Sequence, residues 1–184
     1  MTTSLRLLGA SALLVLSSTV SLAASPAPGY VDFGKFAPAE DKQFVEIELD
    51  GNLLKLAAKF AGKENAEIAQ VIANLERVRV NVMGLPEETR SATLDKVQSV
   101  RETLVTQGWK RVVAVREPNG GTDVAIFLKQ DRDEVVQGLV ITVIDGGNEA
   151  VLVNVVGNVK LEQIASLGER LNIPKLAQLN LPKD

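Results

Sequence analysis

The chain has 184 residues, with 20 Lys and Arg against 23 Asp and Glu, and it contains neither His nor Cys. Its length and its 46% hydrophobic and 23% charged content are typical of a single globular domain. Acids and bases are interspersed along the chain, which argues against a non-specific nucleic-acid binder. Without Cys or His, disulfides and the usual zinc or copper sites are excluded, and so is the commonest general base near neutral pH.

Residues 1–23 have the three parts of a secretory signal peptide. Arg6 is its only charge, residues 7–20 are apolar, and small residues surround Ala23. We predict cleavage after Ala23, with Ala24 as the alternative, and therefore export to the periplasm or the medium. Ser, Thr, Gly and Ala dilute the apolar stretch, so a cleaved signal fits better than a retained anchor. No Cys is available to carry a lipid at the cut.

Residues 24–42 are rich in proline and predict an extended lead-in. They nevertheless contain three of the seven aromatic residues of the chain, Tyr30, Phe33 and Phe36. One hypothesis is that this lead-in docks on the body and covers an edge of the core. The other is that it presents an exposed aromatic strip to a partner. We favour docking, because monomers seldom expose large apolar patches.

Two stretches alternate between apolar and polar residues, which predicts strands with one wet face each. In Phe44–Leu49 the wet face carries Glu46 and Glu48, and in Arg77–Met83 it carries Arg77, Arg79 and Asn81. If the two strands are neighbours joined by a helical crossover, they should run parallel. Their polar side chains would then form an opposite-charge array across the sheet. The array is either an exposed salt-bridge ladder or a charged recognition surface, and we favour the ladder.

Helical periodicity fills the sequence between and after these strands. A first helix, ending near Gly62, shows an apolar stripe predicted to face the core, formed by Leu53, Leu56, Ala57 and Phe60. A second helix runs from about Glu64 to Leu75. A long third helix begins at Pro86 and ends at Gly108, and its predicted core-facing stripe consists of Leu94, Val97, Val100 or Arg101, and Leu104.

Residues Trp109–Val159 predict an antiparallel meander of four strands separated by three turns. The strands are 109–116, 123–129, 135–144 and 150–156, and the middle two are apolar on both faces, as expected of covered strands. A last helix would carry Leu161, Ile164, Leu167 and Leu171, and residues 174–184 would be a tail. The order β-α-α-β-α-β-β-β-β-α predicts an α+β two-layer sandwich over residues 43–173. We expect a mostly antiparallel six-stranded sheet with helices packed on one face.

Several segments together resemble the secreted bacterial family known as domain of unknown function 4252. They are GYVDFGKF, FVEIELDGNLLKLAA, LERVRVNVMG, GWKRVVAVRE and VLVNVVGNVKLEQI, and the resemblance covers about residues 40–170. It implies an exported envelope protein, often a lipoprotein, with relatives encoded near extracytoplasmic sigma-factor systems. This chain departs from that pattern because it lacks the lipidated Cys. The resemblance implies no functional residues.

Motifs for catalysis are scarce. The sequence contains no GxxxxGK followed by Ser or Thr, and no GxGxxG, GxSxG or S-x-x-K. The acidic group Asp131, Asp133 and Glu134 lacks the spacing of a calcium loop and fits a solvated turn. We expect a non-enzymatic binding module with a protein partner in the envelope. We expect no cofactor, no nucleic acid and no stable membrane insertion after cleavage. The alternatives are a carboxylate-based hydrolase and an accessory protein linked to envelope stress. The candidate binding residues are Glu46, Glu48, Arg77, Arg79, Asn81, Tyr30, Phe33 and Phe36.

Overall fold

The computed structural model describes residues 27–36, 41–131, 135–146, 148–160 and 163. Its elements in chain order are β1 Phe44–Asp50, α1 Gly51–Ala61, α2 Ala66–Ala73, β2 Leu75–Gly84, α3 Glu87–Thr106, β3 Lys110–Arg116, β4 Asp123–Gln130, β5 Val136–Asp145 and β6 Glu149–Val159. The predicted signal peptide, most of the predicted last helix and the C-terminal tail lie outside the described residues.

The six strands form one antiparallel sheet in the order β1-β2-β6-β5-β4-β3. This confirms the predicted α+β class, and β3 to β6 pair in succession as the predicted meander. The first hairpin turn uses left-handed backbone at Asn119 and Gly120, with φ of 57° and 72°, a conformation that these two residue types tolerate best. Four consecutive residues of β4, from Ala125 to Leu128, are buried, so that strand is covered on both faces.

The prediction that the first two strands run parallel is wrong. They are neighbours, but β1 pairs with β2 in antiparallel register, from Phe44 opposite Met83 to Asp50 opposite Arg77. The reason lies in the connection. A parallel pair needs a crossover that returns the chain to the starting end of the sheet. Here α1 and α2 form a helical hairpin, in which α1 leads away from the sheet and α2 leads back to it. The chain therefore re-enters the sheet at the end where it left.

The prediction of which residues of α1 face the core is also wrong. Leu53, Leu56 and Phe60 are exposed, whereas Leu54 and Ala58 are buried. The helix sequence has two overlapping apolar stripes, so periodicity alone does not select the one that faces the sheet. Asp50 fixes the start of the helix, since its side chain accepts hydrogen bonds from the N–H groups of residues 52 and 53.

The two faces of the sheet carry different layers. On one face, which we call the core face, α3 packs through Val97 and Leu104 on a cluster that includes Phe127, Val140 and Leu152. The opposite face, called the aliphatic face, meets α2, where Val71 joins a smaller cluster that includes the cross-strand neighbours Leu128 and Leu139. The described helices thus divide between the two faces, whereas the sequence analysis expected them all on one face.

A buried charge fixes α3 on the core face. Arg101 donates to Thr142 Oγ1 at 2.8 Å through Nε, and its Nη1 lies 2.8 Å from Asp123 Oδ1. The sequence left Val100 and Arg101 as alternatives at this inward position. The structure buries Arg101, whereas Val100 is half-buried at the margin of the cluster.

Candidate functional site

The aromatic lead-in docks on the core face, as favoured from the sequence. Phe33 is 1% exposed and belongs to the main core cluster, together with Val31. The buried side chain of Asn154 forms two hydrogen bonds with the backbone of the lead-in. Its Oδ1 accepts from the N–H of Val31 at 3.0 Å, and its Nδ2 donates to the carbonyl of Gly29 at 2.9 Å. A Cβ at Gly138 would lie 2.6 Å from Gly29 Cα, so the two backbones approach too closely for a side chain.

The predicted charge array between the first two strands is confirmed. Arg79 Nη2 lies 2.9 Å from Glu46 Oε1, and Arg77 Nε lies 3.7 Å from Glu48 Oε1. Asn81 also donates to Glu46, at 3.3 Å. These residues lie on the core face, which is why Asn81 is buried and the Arg79 side chain is only 12% exposed. The array is therefore partly enclosed, and its open end is at Arg77.

The lead-in and the charge array meet, so the two predicted surfaces form one. Asp32 Oδ1 lies 3.5 Å from Arg79 Nη1, and the guanidinium carbon of Arg77 lies 5.1 Å from the centre of the Tyr30 ring. The latter distance is within the range of a cation–π interaction. We call Tyr30, Arg77 and their surroundings the Tyr30–Arg77 site.

This site contains a surface pocket of about 310 Å³. Its lining combines an aromatic ring, a cation, a carboxylate and aliphatic carbon, supplied by Ala27, Tyr30, Glu76, Arg77 and Val156. The Arg77 side chain is 43% exposed, and its contact with Glu48 is longer than a hydrogen bond. Its guanidinium therefore keeps donors that can turn toward a ligand.

Two ionisable groups of the array, Glu46 and Arg79, have shifted pKa values. Hydrogen bonds from Arg79 and Asn81 lower the pKa of Glu46, and burial opposes them only in part. For Arg79, burial disfavours the charged form, but the hydrogen bond and charge of Glu46 outweigh it, with help from Tyr30 and Glu48, and raise the pKa of the guanidinium. Both groups are held in their charged forms.

We expect Glu46→Gln to reduce stability only where Glu46 is ionised. Because folding lowers its pKa, the carboxylate stabilises the protein fully above its ordinary value of 4.5, and this contribution is lost as pH falls through the folded-state pKa. Denaturant titrations at a series of pH values should show the difference between wild type and Glu46→Gln shrinking below about pH 4.5. In an Arg79→Met background this pH dependence should diminish. A difference that stays constant down to pH 3 would contradict the assignment.

The candidate residues fall into three groups. Tyr30 and Arg77 line the pocket, with Glu48 beside Arg77. Arg79 and Asn81 are the enclosed members of the array, and both contact the exposed carboxylate of Glu46. Phe33 is a core residue, and Phe36 packs against the core with Lys96 Nζ 4.0 Å from its ring centre. Neither Phe presents a free ring to a partner, since both serve the docking of the lead-in.

Sequence reasoning missed three residues that shape this region, Asp32, Glu76 and Asn154. Asn154 carried a detectable signal, because it is a lone polar residue within the apolar run VLVNVVG of β6. A polar residue at an inward strand position requires a hydrogen-bond partner. The sequence could not show that the partner is the backbone of the lead-in, more than a hundred residues away.

The described residues hold no group of three or more acidic side chains arranged to bind a metal ion. Asp133 and Glu134 of the acidic turn lie outside the described residues. Among the described helices, none has the length and apolar character needed to cross a membrane.

Comparison with protein families matches residues 35–167 to Domain of unknown function (DUF4252). Comparisons with curated proteins and with solved structures give no match. The family match covers the whole sheet and all three described helices, and it begins within the docked lead-in. The resemblance seen in the sequence is thereby confirmed, and the chain belongs to the DUF4252 family.

Proposed function

We propose that the protein is an exported, non-enzymatic interaction module that binds a protein partner of the cell envelope through the Tyr30–Arg77 site. The observation that carries this proposal is the open pocket where Arg77 lies against the Tyr30 ring. Tyr30 and Arg77 come from distant parts of the chain, and the docked lead-in holds them together. Aromatic and arginine side chains are enriched at the centres of protein interfaces.

The chemistry of the pocket favours a partner that offers a carboxylate next to an apolar group. An exposed ion pair such as Arg77–Glu48 contributes little to stability. Arg77 can therefore exchange its contact with Glu48 for one with a carboxylate of the partner at little cost in free energy. The Tyr30 ring and Val156 provide apolar contact beside the charge.

The carboxylate-based hydrolase finds less support. Such an enzyme uses two carboxylates on either side of the reacting bond. Of the five residues that line the pocket, Glu76 alone carries a carboxylate. The acidic residues of the charge array are engaged with arginines instead, as the contacts of Glu46 with Arg79 illustrate. A role in envelope stress is implied only by the family resemblance, and no feature of the site favours it.

The test uses Arg77→Glu in the full chain, expressed in its envelope and cross-linked before purification. We expect partners captured by the wild type to fall at least tenfold with Arg77→Glu, because its charge opposes a carboxylate. The matched control is Arg111→Glu on β3, an exposed residue at the far edge of the sheet with the same change of charge. Arg79 is unsuitable for reversal, because its enclosed side chain helps to hold the fold.

Circular dichroism should show both variants folded. Equal capture by wild type, Arg77→Glu and Arg111→Glu would overturn the proposed site. Equal loss with both variants would show that general charge, and not the pocket, governs capture.

A further inference from the structure

The outer side of α1 carries a row of large apolar side chains, which we call the α1 ridge. Its members, Leu53, Leu56 and Phe60, follow one another at helical spacing, and each is at least 49% exposed. They are half of the large apolar side chains that are exposed among the described residues, and the other three lie singly on β1, α3 and β3. Single exposed apolar residues are ordinary, but a contiguous row marks a contact surface.

The α1 ridge cannot turn inward, because another side of the helix is already packed. Leu54 and Ala58 are buried, and the helix contacts α2 and β2. The cap at Asp50 fixes the start of the helix as well. The fold therefore holds the ridge in place on the surface.

A row of lysines borders the ridge. Lys55, Lys59 and Lys63 recur at every fourth residue, and all three are exposed. The last of them reaches the ridge itself, since Lys63 Nζ lies 5.6 Å from the centre of the Phe60 ring. Residues 51–63 contain no acidic residue, although the chain as a whole has a net charge of −3. The ridge thus lies in a locally basic segment of an acidic protein.

We propose that the α1 ridge docks on an anionic phospholipid surface, with α1 lying along the interface and the chain not crossing it. Apolar residues beside a row of lysines are typical of interfacial helices. The apolar side enters the boundary between headgroups and acyl chains, while the lysine side chains extend toward the lipid phosphates.

Charge complementarity selects this occupant over a second copy of the chain. A second α1 would bring three more positive charges to the same contact, whereas an anionic lipid surface supplies the opposite charge. Each lysine held near such a surface strengthens binding about fivefold. The ridge shares no residue with the Tyr30–Arg77 site, so this proposal does not depend on the proposed function.

Vesicle sedimentation tests the apolar part of the contact, with the full chain purified after export. We expect binding to vesicles of equal parts phosphatidylglycerol and phosphatidylcholine to exceed binding to phosphatidylcholine alone by about tenfold or more. Leu56→Ser/Phe60→Ser should weaken binding to the mixed vesicles by about tenfold or more, because it removes most of the apolar contact. The matched control, Val105→Ser/Val112→Ser, removes two exposed apolar side chains of α3 and β3 and should bind as the wild type does.

A second pair of variants tests the charge. Lys55→Gln/Lys59→Gln should weaken binding to the mixed vesicles by about tenfold. Lys110→Gln/Arg111→Gln removes the same charge from exposed positions of β3 and should leave binding unchanged. Circular dichroism should show all the variants folded, because every substituted side chain is exposed.

Three outcomes would overturn the proposal. The wild type could fail to bind the mixed vesicles, or the variants of α1 could bind no more weakly than their controls. Light scattering could also reveal a dimer that Leu56→Ser/Phe60→Ser abolishes and that the mixed vesicles do not dissociate, which would make a second copy of the chain the occupant.

Discussion

Replacing Arg101 with Ala should lower the free energy of unfolding by about 3–5 kcal/mol, the range found when one partner of a buried ion pair is removed. The Arg101 side chain is 8% exposed and joins α3 to both β4 and β5, through Asp123 and Thr142. Without it, Asp123 keeps one carboxylate oxygen in a half-buried place with no cation beside it. Thr142 also loses the donor at its hydroxyl. Urea denaturation monitored by fluorescence of Trp109 would measure the loss.

The matched control is Arg116→Ala, because Arg116 binds the other oxygen of the same carboxylate, at 3.0 Å. The Arg116 side chain is 77% exposed, and exposed ion pairs contribute at most about 1 kcal/mol. The same substitution at the same carboxylate thus compares a buried pair with an exposed one. Similar losses for the two variants would show that burial does not strengthen the contact of Arg101, which would contradict its role as the anchor of α3.

The place of Arg101 shows where sequence reasoning stops. Helical spacing correctly located an inward position at residue 100 or 101 of α3, but an apolar Val was as good a candidate as a charged Arg. The choice depends on Asp123 and Thr142, which β4 and β5 bring to the same point. No local pattern near residue 100 contains that information.

The alternation of apolar and polar residues in β1 and β2 correctly predicted which side chains share a face of the sheet. It did not predict which of the two faces is covered. It correctly grouped Glu46 and Glu48 with Arg77 and Arg79 on one face. That face was expected to be wet, yet it carries the lead-in, α3 and the main core cluster. A two-residue periodicity indicates only which residues share a face of the strand. Which face is covered depends on the lead-in and α3, which lie elsewhere in the sequence.

The helices between these strands show the same limit. The two helical segments were predicted near their observed positions, since caps and breaks are local signals. The direction of β2 and the buried stripe of α1 were wrong, because both depend on how α1 and α2 pack as a hairpin. Phe60, for example, was predicted to face the core, but its ring is exposed.

Phe33→Ala should also lower the free energy of unfolding strongly, by about 3–5 kcal/mol, the usual range for removing a buried Phe side chain. Phe33 is 1% exposed and fills the core between the sheet and α3. Loss of the ring should also loosen the lead-in around it. Hydrogen exchange of the Val31 amide, which donates to Asn154 Oδ1, should therefore become faster. Calorimetry or denaturant titration would measure the change in stability.

Phe60→Ala provides the same substitution on the outside of the protein. The Phe60 side chain is 62% exposed on α1, so its loss should change stability by no more than about 0.5 kcal/mol. Phe33 lies just before the region that matches the family, which begins at residue 35. A large loss at Phe33 would mean that the domain needs a residue from outside its matched region to complete its core. A loss as small as that of Phe60→Ala would contradict the assignment of Phe33 to the core.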